Sequence, residues 1–368
     1  MGCWQDLPSD VVRSLAASLH GVDDLARLAV TCRSWSEALT GYRPAFTSPQ
    51  FPWLVPTALY ELQQVPMYSP NTCLFHRFPP PTPFLGRGTR VVGRHHGWLV
   101  VLDASLRVHV FNPVTGDRAR RSLPAFPKEV HVRKVALSSS PSAAAAGNDG
   151  VDVVAAAAVY DGFDKAAIIF ARAGDDAWTG RIRLPFPYVA EVAYCHRGGG
   201  NFFVMNPDGL YQIVNPSGPV GAPAWIGPAP FQSFDIFKYS SLVSSPSSGH
   251  LLAVGRVEWS LSMTISRTPV IRKFNPPDGA TASSGGSSSS CWVEIKDLGD
   301  ESLFVGGGHA MLLPAGGSGN RIRRNCIYYS GGFHSSSNSE LFDMDKGIFE
   351  PLPGPPKSCL FWFLPSLS

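Results

Sequence analysis

Charge is scarce in this chain: Asp, Glu, Lys and Arg make up 16% of the 368 residues, and the formal net charge is only +3. So small a balance lacks the concentrated basic face that nucleic acid demands, and nucleic acid is not expected as a partner. Two short basic clusters, Arg118 with Arg120 and Arg121, and Arg321 with Arg323 and Arg324, read as solvated surface. Cysteine is sparse too, with seven residues dispersed at 3, 32, 73, 195, 291, 326 and 359 and no Cys-x-x-Cys pair. Dispersed thiols, odd in number, read as small apolar fillers in a reducing compartment rather than a disulfide framework. No Asn-x-Ser/Thr acceptor occurs without an intervening Pro, in keeping with a chain that is not secreted. The first residues lack the basic and apolar regions of a signal peptide, and Asp6 stands where a myristoylation signal wants Ser or Thr. The most apolar windows, Val151 to Tyr160 and Cys359 to Leu364, are too short or interrupted to span a bilayer. No membrane is therefore expected as a partner, and the expected location is cytoplasmic, nuclear or both.

Glycine and proline are abundant, at 36 and 33 residues, and favour many short strands joined by tight turns. The exception is the start of the chain. Leu7 and Pro8 precede Val12, Leu15 and Leu19, the apolar stripe of an amphipathic helix with Pro8 in its tolerated first turn. His20 and Gly21 are expected to end that helix. A second series, Leu25, Leu28, Cys32, Trp35 and Leu39, steps by three and four residues, with Asp23 and Asp24 placed for a cap and the helix dipole. Two or three short helices sharing an apolar face are expected. So short a module is too small to bury a core by itself, and either the following domain or a partner must cover its stripe.

Leu7-Pro8 followed by Asp10, Val11 and Val12, then Leu19, Asp24-Leu25 and Cys32-Arg33-Ser34-Trp35, resembles an F-box over residues 4 to 44. That family binds a Skp-type adaptor and, through it, a cullin-RING ubiquitin ligase. The resemblance assigns the docking surface and its support to Leu7, Pro8, Val11, Val12, Leu15, Leu19, Leu25 and Trp35. One departure stands out: the family has an apolar residue, most often Val, before the Cys, and this chain has Thr31. A hydroxyl in an apolar contact costs about 1 to 3 kcal/mol if unpartnered, which would reduce adaptor affinity.

Residues 45 to 90 are rich in proline, including Pro79, Pro80 and Pro81, yet carry Phe51, Trp53, Leu54, Tyr60 and Phe75. They are expected as an extended connector packed on the next domain. From Val91 to the end, short runs of β-branched and aromatic residues alternate with turn residues. A strand-end phrase recurs: an apolar residue, Asn-Pro, then Gly, at Phe111 to Gly116, Met205 to Gly209, Val214 to Gly218 and Phe274 to Gly279. Phe342 to Gly347 is a degenerate relative, with Asp343 for Asn. Asn caps such a turn, Pro fixes φ and Gly supplies positive φ, so these phrases are expected as hairpin tips. Their spread fits a propeller of six or seven blades, with four strands in about 45 residues each.

Gly97-Trp98-Leu99-Val100 with Asn112 to Gly116, Cys291-Trp292-Val293-Glu294-Ile295 with Leu303 to Gly306, and Asn325 to Tyr329 before Leu341-Phe342-Asp343 resemble the KIB-type β-propeller of plant F-box proteins. The ending Leu360-Phe361-Trp362-Phe363-Leu364-Pro365 is similar too, and is expected to supply the strand that closes the ring. The fold class expected is thus a small all-α F-box over residues 1 to 44, the connector, and an all-β propeller over residues 91 to 368. Two low-complexity inserts, 138 to 150 and 280 to 290, are expected as surface loops.

No catalytic constellation emerges. His95-His96 lack a third ligand at metal spacing. Gly198 to Gly200 and Gly306 to His309 lack the context of a phosphate cradle. Gly316 to Asn320 fails the spacing of a nucleophile elbow. Trp178, Trp225, Phe231, Phe234 and Trp259 lie near expected turns, where a partner-reading face would place aromatics, although the core also needs them. The expectation is a receptor without catalytic residues, metal or cofactor, which holds an unknown target protein near the ubiquitin-transfer machinery. A scaffold that no longer engages an adaptor and a propeller enzyme remain as alternatives.

Overall fold

A computed structural model describes residues 4–19, 21–29, 31–42, 50–56, 64–78, 88–141, 153–161, 165–184, 189, 191–195, 200–205, 211–214, 225–227, 236–259, 269–275, 292–316, 321–330, 339–354 and 360–367. After a 3-10 turn at Trp4–Asp6 come three helices, α1 (Ser9–Ala17), α2 (Val22–Ala29) and α3 (Arg33–Leu39). Pro8 is the N-cap residue of α1, and its carbonyl accepts from the Val12 amide at 3.1 Å. The expected stop at His20-Gly21 is displaced: Ser18 caps α1, and the Gly21 carbonyl opens α2 by accepting from Leu25 at 3.2 Å. Asp23 and Asp24 occupy the first turn of α2, where their charge complements the dipole. Among the described residues no helix is long and apolar enough to cross a membrane.

The remainder is strand. β1 (Trp53–Pro56), β2 (Val65–Ser69) and β3 (Leu74–Phe78) arise inside the proline-rich stretch, and β4 (Arg90–His95), β5 (Trp98–Leu102) and β6 (Val108–Phe111) follow it. The stretch expected as a connector therefore builds part of the ring. Next come β7 (Val130–Leu137), β8 (Val154–Asp161), β9 (Ala166–Arg172) and β10 (Thr179–Arg183), then β11 (Glu191–Cys195), β12 (Asn201–Met205), β13 (Tyr211–Val214) and β14 (Trp225–Gly227). They are followed by β15 (Ile236–Ser244), β16 (Leu251–Trp259), β17 (Pro269–Phe274) and β18 (Trp292–Ile295). The last are β19 (Glu301–Gly306), β20 (His309–Pro314), β21 (Cys326–Tyr329), β22 (Glu340–Asp343), β23 (Ile348–Pro351) and β24 (Leu360–Phe363).

Within each sheet, neighbouring strands pair antiparallel, except that β19 and β21 run parallel. Apolar layers join each sheet to the next around the circle. The alanine-rich β8 shows how: Ala155 and Ala157 pack toward the β4–β6 sheet, while Ala156 and Ala158 pack toward the β11–β14 sheet. Alternation along the strand lets one blade serve both neighbours.

The expectation of six or seven blades is corrected. Five sheets form full blades: four have four strands, and the β19–β23 sheet has five. Between Arg90 and Phe111 the chain forms only a three-stranded sheet. The phrase at Asn112 does make a hairpin turn. Its Oδ1 accepts from the Val114 amide at 2.9 Å, and Gly116 has φ 75°. The returning chain, however, forms no further strand on β6 among the described residues: its ladder contacts there are the Phe111–Arg118 bridge and the Ala119 amide to Val110 carbonyl bond. A cavity of about 230 Å3 lies between the returning chain and β6, lined by Val108, His109, Arg118 and Leu123. The chain regains β6's end of the sheet where the Phe126 amide donates to the Leu106 carbonyl. Allotting four strands to every blade fails because one such turn leads into a bridge rather than a strand, and because β19–β23 gains an extra strand. At Phe342 to Gly347 the turn does join two paired strands, with Gly347 at φ 68°. The tips at 206–210, 215–218 and 276–279 lie outside the described residues, though the strands flanking each pair antiparallel.

The ring closes through the two ends of the strand region. β24 pairs antiparallel with β1 in the register Trp53–Phe363, Leu54–Trp362, Val55–Phe361 and Pro56–Leu360, as the terminal residues led us to expect. Trp362 is buried against Phe51, Phe304 and Tyr328, and its indole nitrogen donates to the Tyr328 carbonyl at 3.1 Å. Trp362→Ala should lower unfolding stability by about 3 to 5 kcal/mol in chemical denaturation, because both the aromatic packing and the closing contact are lost.

Candidate functional site

Helix α1 carries two apolar faces. Val12 and Ala16 are fully buried with Leu25, Trp35, Ala38 and Leu39, and Leu7, Leu19 and Leu28 pack against that cluster. The sequence pattern grouped Val12 with Leu15, but Leu15, about 60° around the helix from Val12, falls at the margin of the buried face and stays exposed. Pro8, Val11 and Leu15, at spacings of three and four, form an outward stripe, with Val11 38% and Leu15 40% exposed. Trp4, in the preceding turn, is 74% exposed.

The inner cluster fixes that stripe. The Trp35 indole donates to the Trp4 carbonyl at 3.0 Å, tying the 3-10 turn to α3. Arg13 Nε donates to the Ala38 carbonyl at 2.9 Å, bracing α1 against α3. Val12, Leu25 and Trp35 are therefore supports, Pro8, Val11 and Leu15 are surface, and Leu7 and Leu19 are half-buried between the two roles. Thr31 is exposed, and its hydroxyl donates to the Arg27 carbonyl at 3.1 Å, so its polar group is satisfied within the chain.

The module also has a defined seat on the closing sheet. Val22 inserts among Trp53, Val55, Val65, Met67, Phe361 and Phe363. Its amide donates to Gln50 Oε1 at 2.9 Å. Asp23 Oδ1 lies 3.0 Å from His76 Nε2 in a largely covered pair, and the His76 ring stacks on Trp53 with centroids 4.7 Å apart. Leu367 touches both the helical cluster and the sheet cluster. The propeller thus covers the start of α2 and leaves the outer face of α1 open.

Other sequence candidates resolve into packing. Arg323 pairs with Asp343 and with Glu350, and Arg321 donates to the Asn71 carbonyl at 2.7 Å. Trp178 stacks on Phe126 at 4.3 Å and donates to the Pro124 carbonyl at 2.9 Å. The side chains of Trp225, Phe231, Phe234 and Trp259 lie outside the described residues. Cys32, Cys73, Cys195 and Cys326 are free thiols. Burial pushes the Cys326 thiol up to about 11, which suits a filler rather than a nucleophile. No group of three or more His, Cys, Asp or Glu residues that could hold a metal occurs among the described residues.

Residues 67–350 match the family model described as the KIB1-4 beta-propeller. The chain belongs to this family. A KIB1-4 propeller points to a protein-interaction role for the ring. No curated protein matches the chain. Among solved structures, the Cps50 (Swd1) β-propeller domain of Myceliophteria thermophila is 12% identical, covering 80% of this chain and 82% of that one with a TM-score of 0.40. BBS1N in complex with ARL6DN is 11% identical, covering 82% and 72% with a TM-score of 0.35. A Bacteroides caccae protein of unknown function is 10% identical, covering 62% and 71%, also at 0.35.

Because Val11 and Leu15 face solvent, Val11→Ala and Leu15→Ala should each change stability by no more than about 0.5 kcal/mol. Trp35→Ala, which opens the inner cluster, should cost about 3 to 5 kcal/mol. Chemical denaturation of the three variants distinguishes surface from support. Asp23→Ala should loosen the seat, and limited proteolysis should then cleave faster between the helices and β1.

Proposed function

We propose that this KIB1-4 propeller protein is the substrate-recognition subunit of an SCF-type cullin-RING ubiquitin ligase. Its helical module acts as an F-box that docks a Skp-type adaptor, and its propeller holds the target protein. The observation that carries the reading is the open stripe of Pro8, Val11 and Leu15 beside Trp4, on a helix whose inner face is already satisfied. Apolar side chains held outward by a rigid support are what a partner helix would cover, and aromatic residues such as Trp4 favour contact sites. The seat on β1, β2 and β24 adds support, since it fixes the distance and direction from adaptor to target. The proposed role is positional: the chain raises the target's effective concentration near the ubiquitin-carrying enzyme and itself breaks no bond. Cytoplasm and nucleus are the compartments this role implies.

The test is co-purification with a Skp-type adaptor. Val11→Arg/Leu15→Arg should abolish recovery of the adaptor while leaving the thermal transition in place, and Leu7→Ala/Pro8→Ala should reduce it. Equal recovery by wild type and Val11→Arg/Leu15→Arg would defeat the assignment. Thr31→Val separates a receptor from a scaffold: unchanged or stronger binding supports the receptor, and absence of adaptor binding in both proteins favours the scaffold.

A further inference from the structure

A second cluster of charge lies at the inner edge of the ring, far in sequence from the helices. The inner strands β4, β7, β11, β15, β20 and β24 begin or end their sheets and neighbour one another around the axis. Four of them bring together Arg94 of β4, Lys134 of β7, Glu191 of β11 and His309 of β20. Lys134 Nζ donates to Glu191 Oε1 and to the Gly308 carbonyl, so the β19–β20 turn is part of the cluster. Glu191 Oε1 also accepts from the Val192 amide at 3.1 Å. Lys134 and Glu191 are buried, while Arg94 and His309 keep some open surface.

The local backbone is adapted to this gathering. β4 bulges between Val91 and Gly93, and β7 bulges between Val132 and Lys134. Bulges re-aim side chains, and here each directly precedes or includes a member of the cluster. Gly93 is needed for the approach of the two strands: a Cβ there would lie 2.1 Å from the Val135 carbonyl oxygen.

The charges do not cancel. Arg94 and Lys134 face one carboxylate, Glu191, and the exposed Arg133 adds a third positive charge that acts on Lys134 and His309. Burial, with these three cations nearby, drives His309 well below the usual imidazole range, so it contributes a neutral ring at neutral pH. Burial pushes the Lys134 ammonium down and the Glu191 carboxyl up, which expresses how poorly solvated the pair is. Two polar atoms are enclosed without a hydrogen-bond partner: the donor Arg94 Nε and the acceptor Glu191 Oε2. Unmade bonds of this kind are costly in a buried place, and together they call for a group that can accept from one and donate to the other.

We propose that the inner edge of the ring, at Arg94, Lys134, Glu191 and His309, binds a small oxyanion that also carries a hydroxyl. Hydrogen phosphate and a short hydroxycarboxylate share this chemistry. The anionic oxygens take the surplus positive charge and accept from Arg94, and the hydroxyl donates to Glu191. Arg94 and His309, the half-open members, form the entrance. A fully deprotonated oxyanion such as sulfate lacks the donor and meets the Glu191 carboxylate unfavourably.

The experiment uses the full chain and follows binding by calorimetry and the thermal transition, at fixed ionic strength with chloride as reference. Inorganic phosphate is compared with sulfate, and glycolate with acetate, which separates the phosphate source from the hydroxycarboxylate source. Raised transition temperature and measurable heat with phosphate or glycolate, and weaker effects with sulfate and acetate, are expected. Glu191→Gln, whose amide can donate as well as accept, should abolish the preference for the hydroxylated anion. Arg94→Gln should weaken binding on the order of tenfold or more, because it removes the charged donor. Circular dichroism in chloride checks that both variants fold. If Arg94→Gln does not fold, the Glu191→Gln comparison decides alone. Wild-type protein that responds to no oxyanion beyond chloride, or equally to phosphate and sulfate and to glycolate and acetate, overturns the proposal.

Discussion

The pairing of β24 with β1 is the constraint on which the rest depends. A propeller blade has apolar faces on both sides, so an open row of blades leaves its two terminal faces wet. Joining the last strand to the first closes the row, and every sheet then shares an apolar layer with a neighbour. Phe361 and Phe363 point into one layer with Trp53, and Trp362 points into the other with Tyr328 and Phe304. One four-residue strand therefore completes two interfaces at once, through nothing more than the alternation of side chains along it. The next segment of chain is held as well, since the Asn112 side chain donates to the Ser366 carbonyl at 2.9 Å.

The same sheet seats the helices. Gln50 precedes β1, Trp53 lies in it, His76 lies in β3, and Phe361 and Phe363 lie in β24; all five meet the start of α2 directly or through Val22 and Asp23. Closure of the ring and placement of the helical module thus rest on the same sheet. Three helices this short would have little stability apart from such a platform. Among the described residues it is the start of α2 that meets the sheet, and the outer side of α1 stays exposed.

Several features were legible before any coordinates. The three- and four-residue steps marked the helices, and the short β-branched runs marked most strands. The Asn112 and Asp343 turns behave as their residues require, because side-chain capping and positive φ at glycine are local properties. The closing role of Leu360 to Phe363 was legible from its family resemblance, and the register with β1 bears it out. The division of α1 into an inner and an outer face was not, because Val11, Val12 and Leu15 are all apolar and spacing alone does not say which of two apolar faces meets α3. Arg94, Lys134, Glu191 and His309 were also invisible as a group. They stand 40 or more residues apart, and each looks ordinary among its own neighbours.

What the amino-acid order settled here is whatever depends on neighbours within a turn or two: helix and strand identity, hairpin chemistry, and the absence of a membrane-length helix pattern. Only the tertiary structure decided the number of full blades, the sheet that stops at three strands, the exposed side of α1 and the charge cluster at the ring's inner edge. These depend on which distant segments meet. A chain that returns along β6 forms a strand or a lone bridge according to what its neighbours leave room for, and a lysine meets a glutamate 57 residues away only when two blades set their inner strands side by side.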